Sequence, residues 1–304
     1  MTQAAGCTRR HFLGASALSC IATPTLAKPS AGKQRGGDVR LEVGVTTSTF
    51  ALQRRLDPKG FRVPDLLDVI RNELDIRVVD LSTMEIASFE AGYLDQVREK
   101  AAKLGCQLTN LKLNQSGLNL GSPDKAVREK ALAEYKRGVD AAARLGMRWA
   151  RPLPAKTHPD MAVYVAGYRE LAEYAAKLDV QLLVENYSWL EDSPDSVVQL
   201  VDAIGVNVAA CPDTGNWSSS EVRYAGLART FPTAVSCDFK VRELGPNGQH
   251  EEYDLEKCFT IGWRAGFRGP WCLEHTHADR ATLIRELRML KGLLQKWIHQ
   301  QQNS

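Results

Sequence analysis

No stretch of this 304-residue chain stays apolar for the roughly 18 residues that a membrane-crossing helix needs, so no transmembrane helix is expected. An excess of charge is missing too. Basic residues number 39 and acidic ones 36, a formal net charge of +3, which is too small to suggest a nucleic-acid or membrane-surface partner. The seven cysteines include no CxxC pair, which argues against a zinc cluster or a disulfide framework. A glycine-rich phosphate turn is absent after the first strand candidate, where Gly44-Val45-Thr46-Thr47-Ser48 stands, so an open dinucleotide-binding sheet lacks its fingerprint.

What is present begins with Thr8-Arg9-Arg10-His11-Phe12-Leu13, a modest apolar run from Gly14 to Ala22, and Thr25-Leu26-Ala27. A charged start, a short apolar core and small residues in that order read as a signal peptide over residues 1–27. The paired arginines followed by Phe-Leu resemble a twin-arginine export signal. That resemblance implies export of the folded chain by the twin-arginine translocase to the periplasm, with no membrane attachment after cleavage near Ala27. Leu18-Ser19-Cys20 is a poor lipoprotein site by comparison. Cleavage removes Arg9, Arg10, Cys7 and Cys20, so the net charge falls from +3 by two to +1 and five cysteines remain. Residues 28–39, rich in Gly, Lys and Ser as far as Asp38, read as a disordered linker.

From residue 40 to about 300, short apolar runs alternate with amphipathic stretches of helical period. The strand candidates are Leu41–Thr46, Ile76–Leu81, Gln107–Leu113, Arg148–Leu153, Val180–Asn186, Val206–Asp213, Ala234–Lys240 and Trp271–His275. A helical pattern follows each. Asp124 and Ser193 mark helix starts, while Gly105 and Gly146 mark stops. Eight strand–helix units in about 260 residues match a (β/α)8 TIM barrel.

In such a barrel the C-terminal strand ends converge on one mouth. Here four successive candidates end in carboxylates: Val184-Glu185-Asn186, Pro212-Asp213-Thr214-Gly215-Asn216, Asp238-Phe239-Lys240 and Leu273-Glu274-His275. Alternation puts Asp238 and Lys240 on one face, and Cys272 and Glu274 on one face. Four carboxylates at a common point cannot all stay ionised without counter-charge. A divalent ion is one solution, and oxygen-only ligands favour Mg2+ or Mn2+. Neutralisation by Lys240 with Lys112, Arg151 or Arg242 is the other.

These four segments resemble the metal-site strands of the xylose-isomerase-like TIM-barrel family, which includes sugar-phosphate isomerases, D-tagatose 3-epimerase and hydroxypyruvate isomerase. The resemblance implies Glu185, Asp213, Asp238 and Glu274 as metal ligands. Asp238 departs from the family's usual His; it keeps a possible ligand, adds negative charge and favours harder ions. Asn216 falls where epimerases of the group often carry a substrate-binding His, and Glu191 matches a substrate-contacting Glu. The implied function is a metal-dependent sugar isomerase or epimerase. Glu185 would take a proton and Glu274 return one through an enediolate, with Lys240, Asn216, Asn186 and Glu191 contacting a small carbohydrate. The same apparatus would serve a lyase or dehydratase acting on an oxidised sugar, and a sugar-binding barrel with a decayed metal site is a further alternative. The family's DNA-cutting endonuclease IV branch uses several zinc-binding histidines, which this mouth lacks. His275 and His277 end the last strand, and Trp189, Trp217 and Trp271 come close to the mouth. Export makes an unphosphorylated sugar the better expectation.

Overall fold

The eight apolar runs form eight parallel strands: β1 (Val43–Thr46), β2 (Val78–Ser82), β3 (Gln107–Leu113), β4 (Trp149–Pro152), β5 (Gln181–Val184), β6 (Val208–Ala210), β7 (Cys237–Val241) and β8 (Trp271–His275). The structure is a computed structural model that describes residues 37–57, 61–242, 244–245 and 248–303. The export signal expected at 1–27, and positions 28–36 of the expected linker, lie outside the described residues. Positions 37–39 are described, and Val39 is buried among Val78, Trp149, Leu183, Ala209, Cys211 and Cys272 inside the barrel.

The helices between the strands are α1 (Ala51–Leu56), α2 (Val63–Asn72), α3 (Ala91–Lys103), α4 (Lys125–Leu145), α5 (Met161–Ala176), α6 (Ser196–Ile204), α7 (Ser220–Thr230), α8 (Leu255–Arg264) and α9 (Arg280–Gln302). Short helix α1 adds to the expected alternation. The strands are buried on both faces, as a parallel sheet covered by helices requires. Expected helix ends hold where a side chain or a glycine enforces them, while the start expected at Ser193 moves to Ser196, behind an Asp195 that makes no side-chain cap. The Asp124 carboxylate caps α4 by accepting from Ala126 N at 2.8 Å, and Gly146 ends it at φ 75°. Among the described residues no helix is long and apolar enough to cross a membrane.

Neighbouring strands pair in the order β6-β5-β4-β3-β2-β1-β8-β7, and the ring closes between β6 and β7 through two isolated bridges, Ala210 with Ala234 and Asp213 with Asp238. The fold is therefore the expected (β/α)8 barrel, with β6 and β7 shorter than expected at this seam. Asn207 adopts a left-handed φ of 46° just before β6, and Pro212 just after it has no amide to extend a ladder. The seam is stitched instead by Asp238 N donating to Pro212 O at 2.9 Å and Thr214 N to Asp238 O at 2.9 Å.

Candidate functional site

Among the described residues, the strand ends bring at least eight charged side chains to the barrel mouth, one of them Arg242, whose Nη2 donates to Asn216 Oδ1 at 3.4 Å. Lys112 comes from β3 and Arg151 from β4, which are direct partners in the β3–β4 register. Glu185 and Asp213 stand just beyond β5 and β6. Asp238 and Lys240 lie on β7, and Glu274 lies on β8 directly opposite Lys240. Lys112 Nζ is 2.8 Å from Asp238 Oδ1 and 2.7 Å from Glu274 Oε2. Lys240 Nζ is 2.7 Å from Glu274 Oε1 and 3.2 Å from Asp213 Oδ2. Arg151 Nε is 2.7 Å from Glu185 Oε2. Two of these contacts are close but misaligned. Among the described residues, neither oxygen of Asp238, nor Glu185 Oε2, has a partner in hydrogen-bonding geometry.

The turn after β6 is built around Asp213 and Asn186. Asp213 Oδ1 accepts from Gly215 N at 2.7 Å and Asn216 N at 2.9 Å, which leaves Oδ2 free to face Lys240. Asn186 is fully buried and clamps the turn from β5. Its Nδ2 donates to Asp213 O at 3.0 Å and Asn216 O at 2.7 Å, and its Oδ1 accepts from Asp213 N at 2.8 Å. Asn216 Nδ2 then donates to Glu185 Oε1 at 3.0 Å. Gly215 has a packing role. A Cβ there would come within 2.9 Å of Tyr253 Oη and 3.0 Å of Lys240 Cδ, so a larger residue would push the Tyr253 ring end or the Lys240 stem aside.

Burial and mutual repulsion govern the acidic groups. Burial lifts Asp213 to about 6 against the pull of Lys240, and lifts Asp238 to about 7 against that of Lys112. Glu185 is pushed up by burial as well, with Arg151 opposing. Glu274 behaves the other way. Burial would raise it, but Lys112 and Lys240 outweigh that and hold its carboxyl well below the usual range. Burial would depress the Lys112 ammonium, yet Asp238 and Glu274 keep it charged.

Residues 72–293 match the family described as xylose isomerase-like TIM barrel. The chain belongs to that family. No curated protein sequence matches it. Solved structures show the same fold at low identity. A xylose isomerase domain protein from Planctomyces limnophilus is 16% identical with a TM-score of 0.66, covering 87% of this chain and 99% of its own. D-psicose 3-epimerase with D-tagatose, from Clostridium cellulolyticum H10, is 13% identical with a TM-score of 0.66, over 84% of this chain and 99% of its own. A barrel from Mycobacterium smegmatis in complex with magnesium is 18% identical with a TM-score of 0.60, over 85% and 98%.

In this xylose isomerase-like barrel, Glu185, Asp213 and Asp238 place ligand oxygens within 4.8 Å of one another, a buried cluster that could hold a metal ion. The unpartnered oxygens of Asp238 and Glu185 fit that use, since buried acceptors without donors call for a cation. Glu274, the fourth expected ligand, stands outside that group with both oxygens on lysines. Each of the three cluster carboxylates also has a cation of its own, so the alternative of neutralisation by Lys112, Arg151 and Lys240 is present in the same place.

The remaining candidates are spread more widely. Glu191 Oε1 accepts from Ser188 N at 2.8 Å within its own short turn and makes no described contact with the cluster. His275 points away from Glu274, its ring nitrogens 2.8 Å from Val241 O and 2.7 Å from Glu286 Oε2, and His277 is engaged with Asp279. Trp271 is core, packed on Phe231, Phe259 and Phe267, while Trp189 sits against His158 and Tyr164. Three contacts had no sequence signal, because loops bring them in. Ser48 Oγ donates to Glu274 Oε2 at 3.4 Å, Tyr253 Oη to Lys240 O at 2.5 Å, and Thr214 Oγ1 to Lys240 O at 3.1 Å.

Proposed function

We propose that this barrel is a metal-dependent isomerase or epimerase of an unphosphorylated sugar, working by proton abstraction beside a carbonyl. The observation that carries the reading is the pair Glu185 and Glu274, two carboxyl groups in one mouth whose surroundings drive their proton affinities apart. Burial lifts Glu185 toward the range in which a general base works best, so Glu185 takes the proton from carbon. Glu274 on β8, held ionised by Lys112 and Lys240, is the proton-return group and acts after taking up a proton from solvent. Lys240 and Asn216 offer N–H groups to the substrate hydroxyls and to the oxyanion of the enediolate. Asn186 acts by holding the Asp213–Asn216 turn in place. Glu185, Asp213 and Asp238 would hold the ion, Mg2+ or Mn2+ by their oxygen chemistry. When bound, that ion supplies Lewis-acid polarisation of the carbonyl and its neighbouring hydroxyl. The Arg9-Arg10 motif supports export by the twin-arginine translocase to the periplasm, where an unphosphorylated substrate is the natural choice.

A second reading, a sugar-binding barrel without metal chemistry, is favoured by one observation: Lys112 and Arg151 already lie on two of the three cluster carboxylates. One experiment separates the two. The protein is incubated in D2O with unphosphorylated ketoses and keto-sugars, with and without Mn2+, and followed by proton NMR and by melting. The enzyme reading expects deuterium at the carbon beside the carbonyl, lost in Glu185→Gln by about 10²-fold or more. A lyase would release an unsaturated product. Melting shifts with no deuterium uptake under any condition would establish the binding reading instead.

A further inference from the structure

Lys112 is the most fully buried of the three cations paired with the cluster. It is fully buried, it comes from β3, and it spans the barrel to reach carboxylates on β7 and β8. A lysine taken wholly out of water is rare and costly unless its charge is answered directly. Here the answer comes from Asp238 Oδ1 at 2.8 Å and Glu274 Oε2 at 2.7 Å. Asp238 is at the same time one of the three carboxylates that gather ligand oxygens within 4.8 Å. A divalent ion sits about 2.1 Å from each carboxylate oxygen it binds. An ion on Asp238 therefore meets the Lys112 ammonium at close range, with no water between to screen them.

The other two cations differ. Lys240 is 19% exposed and has solvent to move into, while Arg151 pairs with Glu185 alone among the cluster carboxylates. Lys112 has no exposed surface to retreat to.

We propose that Lys112 is a resident counter-cation of the metal site. It joins Asp238 to Glu274 when no divalent ion is bound, and it competes with the ion for Asp238. The barrel then folds without metal and binds it weakly and reversibly. This rests on the metal reading given under Proposed function, and the test separates the failure of one from the failure of the other.

The protein, stripped with EDTA and dialysed, is titrated calorimetrically with Mn2+ alone, beside Lys112→Met and Lys112→Gln. The expected result is Mn2+ binding about ten-fold tighter or better in both variants than in the parent. Melting gives a second readout. The parent's melting rises only slightly from EDTA to Mn2+, while Lys112→Met melts lower in EDTA and rises by much more when Mn2+ takes over the missing charge. Should Lys112→Met fold only with Mn2+ present, the second readout is met in its strongest form. Equal or weaker Mn2+ binding in folded variants overturns the counter-cation while leaving the metal site intact. No Mn2+ binding by the parent or either variant overturns the metal reading and this inference together.

Discussion

Asp238→Asn tests the electrostatics of the mouth most directly. In the folded chain the Asp238 carboxyl is raised from 3.8 to about 7, chiefly by burial. A carboxyl raised on folding makes the native state bind more protons than the unfolded state between those two values. Its contribution to stability is therefore fully present below about 4 and is lost as pH rises through 7. One unit of displacement corresponds to about 1.4 kcal/mol, so the shift sets a ceiling of about 4 kcal/mol. The pull of Lys112 is already part of the value of about 7, and Lys112 keeps Glu274 at 2.7 Å in the variant. Asparagine is neutral at every pH and mimics the protonated carboxyl in shape. The variant should match the parent near pH 4 and exceed it by about 2–4 kcal/mol at pH 8. Urea denaturation of both proteins in EDTA, at steps between pH 4 and pH 8, measures this difference. A variant that stays level with the parent, or falls below it, across that whole range would show that Asp238 is ionised without cost and that burial does not govern the site.

Asn186→Ala removes three buried hydrogen bonds from the turn after β6 and should lower stability by about 3 kcal/mol, read by urea unfolding. Gly215→Ala drives a methyl into Tyr253 Oη and the Lys240 stem and should cost about 1–3 kcal/mol. Adding Tyr253→Phe should recover part of that loss, and strict additivity of the two changes would refute the clash. Replacing Arg9 and Arg10 by lysines should keep the protein in the cytoplasmic fraction of an exporting bacterial cell; unchanged periplasmic yield would remove the twin-arginine reading.

The four mouth carboxylates were legible because each ends an apolar run, where an ionised side chain is out of place without a purpose. Alternation then fixed which face Asp238, Lys240 and Glu274 share. The pairing of these carboxylates with cations was not legible to the same degree. Lys112 and Arg151 could be named as counter-charges. That Lys112 reaches β7 and β8 depends on the stagger of the barrel, which no local pattern encodes. The split between Glu274 and the other three carboxylates has the same origin. Asn186 follows a candidate base and reads as a substrate contact, but its amide is spent on the backbone of the next strand's turn. The shortness of β6 was signalled by Pro212, whereas the left-handed Asn207 carries only a weak local preference.

The seam between β6 and β7 bears on how occupancy of the mouth can be sensed. Seven of the eight strand junctions are paired strand ladders, the β2–β3 one with a register shift between Val79 and Leu81, while this one is a clasp of two bridges, one of them Asp213 with Asp238. A ligand gripped by those two carboxylates would fasten the ring as well as fill it. The amides of Thr214, Val235 and Asp238, which cross the clasp, would then gain protection. The binding event and the rigidity of the barrel would be one quantity, measured at three backbone positions.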